Sequence, residues 1–280
     1  MNFTSVSYGA ATVVTGIITG LGAAFGVSLK TIVDVSPSPS DLLKSNEVDA
    51  DSRLFNACVS FARERNWLKG GVYAHVETEI PPSRGMKSSS SVSLALLSAL
   101  AKMGNITMES ASLPMLSAEI SRKAGVSVTG AFDDAYACYA GGMIFAENTR
   151  MRLLERRHFG NGMKVLFAVP QRRIEKKELP LQDMAEIEHE LKLAFRLALD
   201  GMYREASLCN TMLISRYLDI DVSPVIGVLE AGASLGGISG TGPALYAVCR
   251  EESVPAVEKA LSDTGRIIKC EVRNDDEIVC

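Results

Sequence analysis

The chain has 280 residues, enough to bury a large core and close to the size at which one core divides into two. Its composition, 47% hydrophobic and 22% charged, is that of a globular protein, and a net charge of −4 without a basic stripe argues against a nucleic-acid partner. Six widely spaced cysteines without a Cys-x-x-Cys pair indicate free thiols in a reducing cytosol: Cys58, Cys138, Cys209, Cys249, Cys270 and Cys280.

The first 29 residues carry no charged side chain, so a membrane span or a signal peptide has to be weighed first. No Lys or Arg precedes the apolar region, and glycine, serine and threonine dilute it, which argues against both. Val13, Val14 and Ile17 favour buried strands separated by a glycine turn. Residues 20–26 approach the dinucleotide fingerprint but are one residue too long and lead into a strand-like run, so they indicate a Rossmann site only weakly.

Three elements are then predicted before the central stretch of the chain. Pro37 and Pro39 exclude helix and central strand, which predicts a loop over 36–40. Residues 49–66 place apolar side chains on one face and charges on the other, as a helix does, and residues 72–80 alternate as a strand does.

The stretch from 81 to 104 predicts an anion site at the start of a buried helix. Two prolines and Gly85 keep its entry out of helical conformation, the serines that follow supply an N-cap, and Gly104 is a stop signal. The helix is apolar nearly all round and belongs in the core. Its N-terminus offers unpaired N–H groups and about half a positive charge, to which Lys87 adds a full one. The spacing is not that of a Walker A loop, and an ordinary serine-capped core helix is the alternative.

A second helix is predicted over 112–124, and a pair of adjacent acids follows it. Asp133 and Asp134 lie in a run of small and aromatic residues, with no Lys or Arg between Lys123 and Arg150. Two carboxylates in apolar surroundings are costly unless engaged, which favours a functional role over capping of a helix.

The second half of the chain begins after a basic segment that ends near Gly160, a plausible domain boundary. Strands are predicted over 164–169, 244–248 and 266–272, and helices over 183–199, 202–218, 223–232 and 254–262. Between them, residues 233–243 form a glycine-rich loop, a composition that suggests backbone close to a ligand.

Three motifs resemble those of the GHMP kinases and are most similar to the archaeal-type shikimate kinases. The phosphate-binding motif has Met86, Lys87 and Ser90 where the superfamily usually has Leu, Gly and Ala. The motifs, in the expected order, read Pro82-Ser83-Arg84-Gly85-Met86-Lys87-Ser88-Ser89-Ser90, then Thr129-Gly130-Ala131-Phe132-Asp133-Asp134-Ala135 followed by Gly141-Gly142, then Gly237-Ile238-Ser239-Gly240-Thr241-Gly242-Pro243-Ala244.

The resemblance implies an α+β protein with the GHMP kinase fold. Its N-terminal domain, resembling ribosomal protein S5, would span residues 1–158, and a ferredoxin-like C-terminal domain would span residues 159–280. The implied activity is that of a shikimate kinase, which phosphorylates the shikimate 3-hydroxyl with ATP and Mg²⁺ in chorismate and aromatic amino acid biosynthesis. The implied location is the cytoplasm, with no nucleic-acid or membrane partner; a homo-oligomer is compatible with it.

The resemblance also assigns roles to residues. Asp133 or Asp134, with Asp133 placed first, would orient and deprotonate the hydroxyl, and Lys87 would neutralise the spreading charge. Mg²⁺ would lie between Ser89 and Glu119, although a surface glutamate on an amphipathic helix is an equal interpretation. The substrate would meet Gly240, Thr241 and Gly242. The nucleotide would lie along Pro82, Ser83, Arg84, Gly85, Met86, Lys87, Ser88, Ser89, Ser90 and Ser91.

Other readings stay open at this point. Homoserine kinase is the nearest competitor, but the chain lacks its expected Pro-x-Ser-x-Asn-Leu-Gly start. Lys30, Arg84 and Arg122 are unranked candidates for the cation that meets the substrate carboxylate. A dinucleotide oxidoreductase would need a helix after residues 20–26, and a non-catalytic relative would lack a working carboxylate.

Overall fold

The computed structural model describes residues 1–46, 52–109, 112–174 and 178–275. The strands are β1 (Phe3–Val14), β2 (Leu21–Ser38), β3 (Leu42–Ser45), β4 (Gly71–Thr78), β5 (Met143–Glu147), β6 (Arg152–Arg157), β7 (Lys164–Val169), β8 (Leu235–Ile238), β9 (Leu245–Cys249) and β10 (Arg266–Glu271). The helices are α1 (Ser52–Glu64), α2 (Ser88–Met103), α3 (Ser112–Lys123), α4 (Phe132–Ala140), α5 (Leu181–Met184), α6 (Glu188–Leu199), α7 (Tyr203–Leu218), α8 (Ser223–Glu230) and α9 (Val254–Leu261), with 3₁₀ turns at Ala185–Ile187 and Glu251–Ser253.

The long strand β2 organises the first sheet. The described residues form a six-stranded sheet in the order β3-β4-β2-β5-β6, and β1 pairs antiparallel with β2 along its length. On its other side β2 pairs with β5 at its start and with β4 at its end. Residues 20–26 therefore continue into a strand, and the helix that a Rossmann site requires does not open there.

The loop predicted over 36–40 is partly wrong, because β2 runs on to Ser38. Pro37 pairs with Val72 of β4, whereas the pairing with β1 ends at Val35. At Pro37 the strand therefore has a neighbour on one side only. Proline, which has no N–H to donate to a neighbouring strand, is tolerated at such a position. The helix predicted over 49–66 is confirmed from Ser52; residues 49–51 lie outside the described ranges.

The second sheet has the order β10-β7-β9-β8, with every neighbouring pair antiparallel. Helices α5 to α8 connect β7 to β8, and α9 connects β9 to β10, which is the split β-α-β arrangement expected of a ferredoxin-like domain. The glycine-rich loop predicted over 233–243 is partly wrong, because β8 occupies its first half. Gly237 has no room for a side chain beside Ser207 and Thr211, so glycine here allows a strand to pack closely on α7.

Helix α2 lies in the core, as its apolar surface predicts. Its side chains from Leu94 to Ala101 are buried apart from Ser98, against β1 and β2 and between α1, α3 and α4. A second core cluster joins the two sheets through Phe25 and Phe145 on one side and Phe167 and Tyr246 on the other. The C-terminal end of β1, the loop that leads into the N-terminus of α2 and the turn before β9 meet at this junction of the two halves.

In the described part of the chain no helix is both long and apolar enough to cross a membrane.

Candidate active site

The loop of residues 81–87 is held against the second half of the protein. Lys87 is the N-cap residue of α2 in a left-handed conformation (φ 67°) and makes no side-chain cap, so the predicted serine N-cap is wrong by one position. Ser239 Oγ donates to the Gly85 carbonyl at 2.8 Å, and Ala244 N donates to the Arg84 carbonyl at 3.2 Å. Gly85 has positive φ, and a Cβ there would overlap the Ser239 carbonyl oxygen, so only glycine fits this turn.

This loop and the first turn of α2 form one wall of a cavity that we name the phosphate cavity. The opposite wall comes from the end of α3 and the start of α4. The first N–H groups of α2 have no acceptor within the helix, and a helix N-terminus of this kind favours an anion. The lining residues are Pro81, Ser83, Arg84, Gly85, Met86, Lys87, Ser88, Ser89, Ser90, Ser121, Val126, Ser127, Ala131 and Asp134.

A second cavity, which we name the acceptor cavity, lies between the end of β1, the start of α4 and the turn after β8. The two cavities share Lys87, Ser127, Ala131 and Asp134. The lining residues are Thr12, Thr15, Gly16, Ile17, Lys87, Ser127, Val128, Thr129, Ala131, Asp133, Asp134, Asn148, Gly240 and Thr241.

Lys87 and Asp134 form an ion pair where the two cavities meet. Lys87 Nζ lies 3.1 Å from Asp134 Oδ2, with the side chains 8% and 14% exposed. Thr12 Oγ1 lies 3.5 Å from the other carboxylate oxygen of Asp134 and donates to it. Gly240 keeps this space open, because a Cβ there would lie 2.6 Å from Lys87 Nζ. A cation and a carboxylate are thus held together where the two cavities meet.

Asp133 lines the acceptor cavity but not the phosphate cavity, and it is held by Asn148. Its side chain is buried, its backbone N donates to Asn148 Oδ1 at 2.8 Å, and the Asn148 side chain also bonds its carboxyl group. Burial, and next the negative charge of Asp134, raise the pKa of Asp133 to about 7. The two aspartates thus differ in the structure: Asp134 borders both cavities and pairs with Lys87, whereas Asp133, which the sequence analysis placed first, is bonded to Asn148.

Several predicted site residues lie away from the cavities. Glu119 is on the outer face of α3, where its carboxylate pairs with Lys123 at 2.8 Å. Ser91 is buried and bonded to Ser7, and Gly242 faces Ile220 and Ile238. Pro82 is likewise not among the described residues that line either cavity.

None of the three cations proposed from the sequence lines the acceptor cavity. Lys30 and Arg122 are exposed elsewhere, and Arg84 faces the phosphate cavity. Among the described residues that line the acceptor cavity, Lys87 is the only Lys or Arg.

Several cavity residues were not predicted in the sequence analysis. Thr12 and Thr15 lie in the charge-free N-terminal stretch, Asn148 is a single amide after β5, and Ser121 is one of several serines in α3. Their only shared signal is a polar side chain next to a buried strand or helix, which is too common to single them out.

Comparison with known proteins places this geometry in a family. Residues 53–142 match the family model of the GHMP kinase N-terminal domain, and residues 222–267 match that of the GHMP kinase C-terminal domain. The chain is 31% identical to a shikimate kinase of Methanosarcina mazei, over 97% of this chain and 94% of that protein. It is 34% identical to a shikimate kinase of Thermococcus kodakarensis, over 94% of this chain and 97% of that protein.

The fold is also that of solved structures with little sequence identity. Homoserine kinase from Cytophaga hutchinsonii superposes with a TM-score of 0.70 at 16% identity, covering 96% of this chain and 95% of that one.

Proposed function

The chain belongs to the GHMP kinases, in the family of the archaeal shikimate kinases, and on this premise we propose that it transfers the γ-phosphoryl group of ATP to the 3-hydroxyl of shikimate. The observation that carries the proposal is the Lys87–Asp134 pair at the junction of the two cavities. In the proposed reaction this pair supplies a proton acceptor and a positive charge between the nucleotide phosphate and the acceptor hydroxyl.

The phosphates bind along the loop and the first turn of α2. The backbone N–H groups of that turn, the helix dipole and the serine hydroxyls favour an anion there. Phosphoryl transfer depends on positioning and charge neutralisation more than on covalent help, and a rigid helix in the core supplies a fixed platform for both.

The chemical step uses the ion pair. Asp134 accepts a hydrogen bond from the acceptor hydroxyl and takes its proton as the new oxygen–phosphorus bond forms and the bond to the ADP oxygen breaks. Lys87 neutralises the charge on the phosphoryl group in transit and, before substrate enters, holds Asp134 in place. Asp133 and Asn148 fix the first turn of α4, from which Asp134 projects.

Mg²⁺ fits this cavity, because its ligands are oxygens and it keeps several waters. Ser89, which lines this cavity, would supply a hydroxyl ligand to the ion, and bound Mg²⁺ would lower the negative charge of the phosphates. Glu119 is not in place to take part, since its carboxylate pairs with Lys123 away from the cavity.

The location that fits this chemistry is the cytoplasm. The described cysteines (Cys58, Cys138, Cys209, Cys249 and Cys270) form no disulfide, in keeping with a reducing compartment.

The experiment that tests the proposal measures ADP release from MgATP with shikimate, homoserine and mevalonate supplied separately, and identifies the product by ³¹P NMR. Release with shikimate alone, and a new phosphate monoester, is the expected result. Release only with homoserine would keep the kinase and change the acceptor. No release with any of the three would contradict the proposal.

A further inference from the structure

The hydroxyl of Ser121 is buried and has no hydrogen-bond partner in the described part of the chain. Ser121 lies in the last turn of α3 and is 2% exposed. Its backbone carbonyl is fully used, accepting from Val126 N at 3.1 Å and Ser127 N at 3.2 Å. A serine within a helix commonly bonds back to a carbonyl of the preceding turn, but the Ser121 hydroxyl does not.

Three other buried serines of this protein, Ser93, Ser117 and Ser207, have hydrogen-bond partners. The hydroxyls of Ser93 and Ser117 lie 2.5 Å apart, and Ser207 donates to the Gly236 carbonyl at 2.9 Å. Leaving a buried hydroxyl unpaired destabilises a fold, so such a group calls for a partner that is absent from the chain itself.

The position of Ser121 indicates what that partner is. Ser121 lines the phosphate cavity opposite Ser88–Ser90. Its wall continues through Ser127 and Ala131 to Asp134, which borders both cavities. The phosphoryl group that is transferred has to lie in the part of the cavity that Asp134 borders, because only there can it reach the acceptor.

The neighbouring acid does not compete for the Ser121 hydroxyl. Residues two positions apart on a helix point to nearly opposite sides, so Glu119 faces outward and pairs with Lys123 while Ser121 faces inward. Arg84 and Lys87, the cations of the loop that line the same cavity, favour an anion there.

We propose that Ser121 is a nucleotide-binding residue whose hydroxyl donates a hydrogen bond to an oxygen of the terminal phosphate of ATP. The proposal rests on the proposed function, since it requires that a nucleotide triphosphate enters the phosphate cavity. An ionised phosphate oxygen can only accept hydrogen bonds, and the Ser121 hydroxyl, which has no acceptor in the described part of the chain, can donate one to it. The contact forms with ATP and is lost with ADP, so Ser121 helps the protein to distinguish substrate nucleotide from product.

The test compares Ser121→Ala with Ser117→Ala, a buried serine one turn earlier on the same helix. Isothermal titration calorimetry measures the Kd of each variant and of the wild type for AMPPNP and for ADP, both with Mg²⁺. Ser121→Ala is expected to weaken AMPPNP binding by about 10- to 100-fold, the usual range for a hydrogen bond to a charged group, and to leave ADP binding unchanged. Ser117→Ala is expected to bind both nucleotides as the wild type does.

The melting temperature without nucleotide supplies an independent readout. Ser121→Ala removes an unpaired hydroxyl and is expected to melt at or above the wild-type temperature, whereas Ser117→Ala breaks a buried pair and is expected to melt lower. Ser121→Cys keeps the side chain near its original size and, with a weaker donor, is expected to lose part of the AMPPNP affinity.

Wild-type AMPPNP affinity in Ser121→Ala would overturn the inference, and so would an equal loss for AMPPNP and ADP. A failure of the wild type itself to bind either nucleotide would instead overturn the proposed function on which the inference rests.

Discussion

At the scale of single residues, the two adjacent aspartates are distinguished by their surroundings. Asp134 contacts Lys87 and borders both cavities, whereas Asp133 is enclosed and bonded to Asn148. The aspartate at 134 therefore faces the cavities, whereas the aspartate at 133 holds the first turn of α4 in place. Sequence spacing could not distinguish them, since both lie in the first turn of α4 and differ only in the direction of their side chains.

We predict that Asp134→Asn lowers kcat by about 10²- to 10⁴-fold, because the variant can no longer take the hydroxyl proton. Asp133→Asn, the matched control, keeps an acceptor for Asn148 and is expected to lose less than about 10-fold, the difference between a supporting and a reacting group. Initial rates of ADP release with saturating MgATP and acceptor provide the measurement. A larger loss in Asp133→Asn than in Asp134→Asn would reverse the assignment.

The raised pKa of Asp133 predicts how stability depends on pH. The unfolded carboxyl group loses its proton near its ordinary pKa of 3.8, while the folded one holds it until about pH 7. Between these values the folded state binds more protons, so this group makes the free energy of unfolding fall as pH rises towards 7. Above about pH 7 both states are ionised and its contribution is constant.

Urea unfolding at pH 5, 6, 7 and 8 checks this prediction. The wild type is expected to lose stability over that range more steeply than Asp133→Asn, in which no proton is exchanged at this position. Parallel profiles for the two proteins would show that Asp133 is already ionised at pH 5.

At the scale of elements, the backbone of strand β2 packs closely against the start of helix α4 and so positions the two aspartates. Gly22 of β2 lies against the Asp133 carboxylate, and a Cβ there would overlap it while also lying 3.2 Å from Asn148 Nδ2. The backbone of Gly22 does not have positive φ, so alanine is excluded by space and not by conformation. The glycine is therefore part of the support for the first turn of α4.

We predict that Gly22→Ala lowers kcat by about 10²-fold, because the displaced Asp133 shifts the turn that carries Asp134 and a shift of about 1 Å can have that effect. Gly70→Ala is the matched control, since a Cβ at Gly70 has nothing within 4 Å. Steady-state kinetics measures the loss, and circular dichroism confirms that each variant is folded. Wild-type kcat in Gly22→Ala would mean that Asp133 can move without moving Asp134.

Much of the fold could be predicted at this scale, for identifiable reasons. Helix α2 was predicted because Gly85 and Gly104 bracket an apolar run, and β7 because its residues form an uninterrupted apolar strand. Strand β8 was missed because its glycines, which allow it to pack on α7, look like a loop in sequence.

The site was predictable where its residues are consecutive and not where the fold assembles it. Lys87 and the serines after it are neighbours in the chain, and their pattern is specific. Thr12, Ser121 and Asn148 come from three separate elements and meet only in the folded protein. Glu119 was predicted as a Mg²⁺ ligand, but it lies on the outer side of α3, where it pairs with Lys123. Ser121, on the opposite side of the same helix, lines the phosphate cavity.

At the scale of the whole molecule, the site is built from both halves of the chain. Ser239 links the two, with its hydroxyl donating to the Gly85 carbonyl and accepting from Thr12 N at 3.3 Å. After β10 the chain returns to the first sheet, where Arg273 N donates to the Gly26 carbonyl at 3.0 Å. The division into domains at 158/159 remains a prediction, and it falls between β6 and β7.

We predict that residues 1–158 do not fold when expressed alone, although they contain all strands of the first sheet. The reason is the shared core: Phe25 packs on Tyr246 with ring centroids 5.5 Å apart, and Phe145 packs on Phe195 at 6.1 Å. Without the second half these two rings would face water, and at about 1.5–3 kcal/mol for each large apolar side chain the loss is about 3–6 kcal/mol, against a total stability of about 5–15 kcal/mol for a domain.

Near-ultraviolet circular dichroism, binding of the dye ANS and resistance to protease compare the fragment with the full chain. The fragment is expected to lack a fixed aromatic signal, to bind the dye and to be cleaved rapidly. Mixing it with residues 159–280 is expected to restore part of the native signal, since the contacts between the halves are non-covalent. A fragment that unfolds cooperatively on its own would show that the first sheet and α2 form a sufficient core, and that the second half serves the site more than the fold.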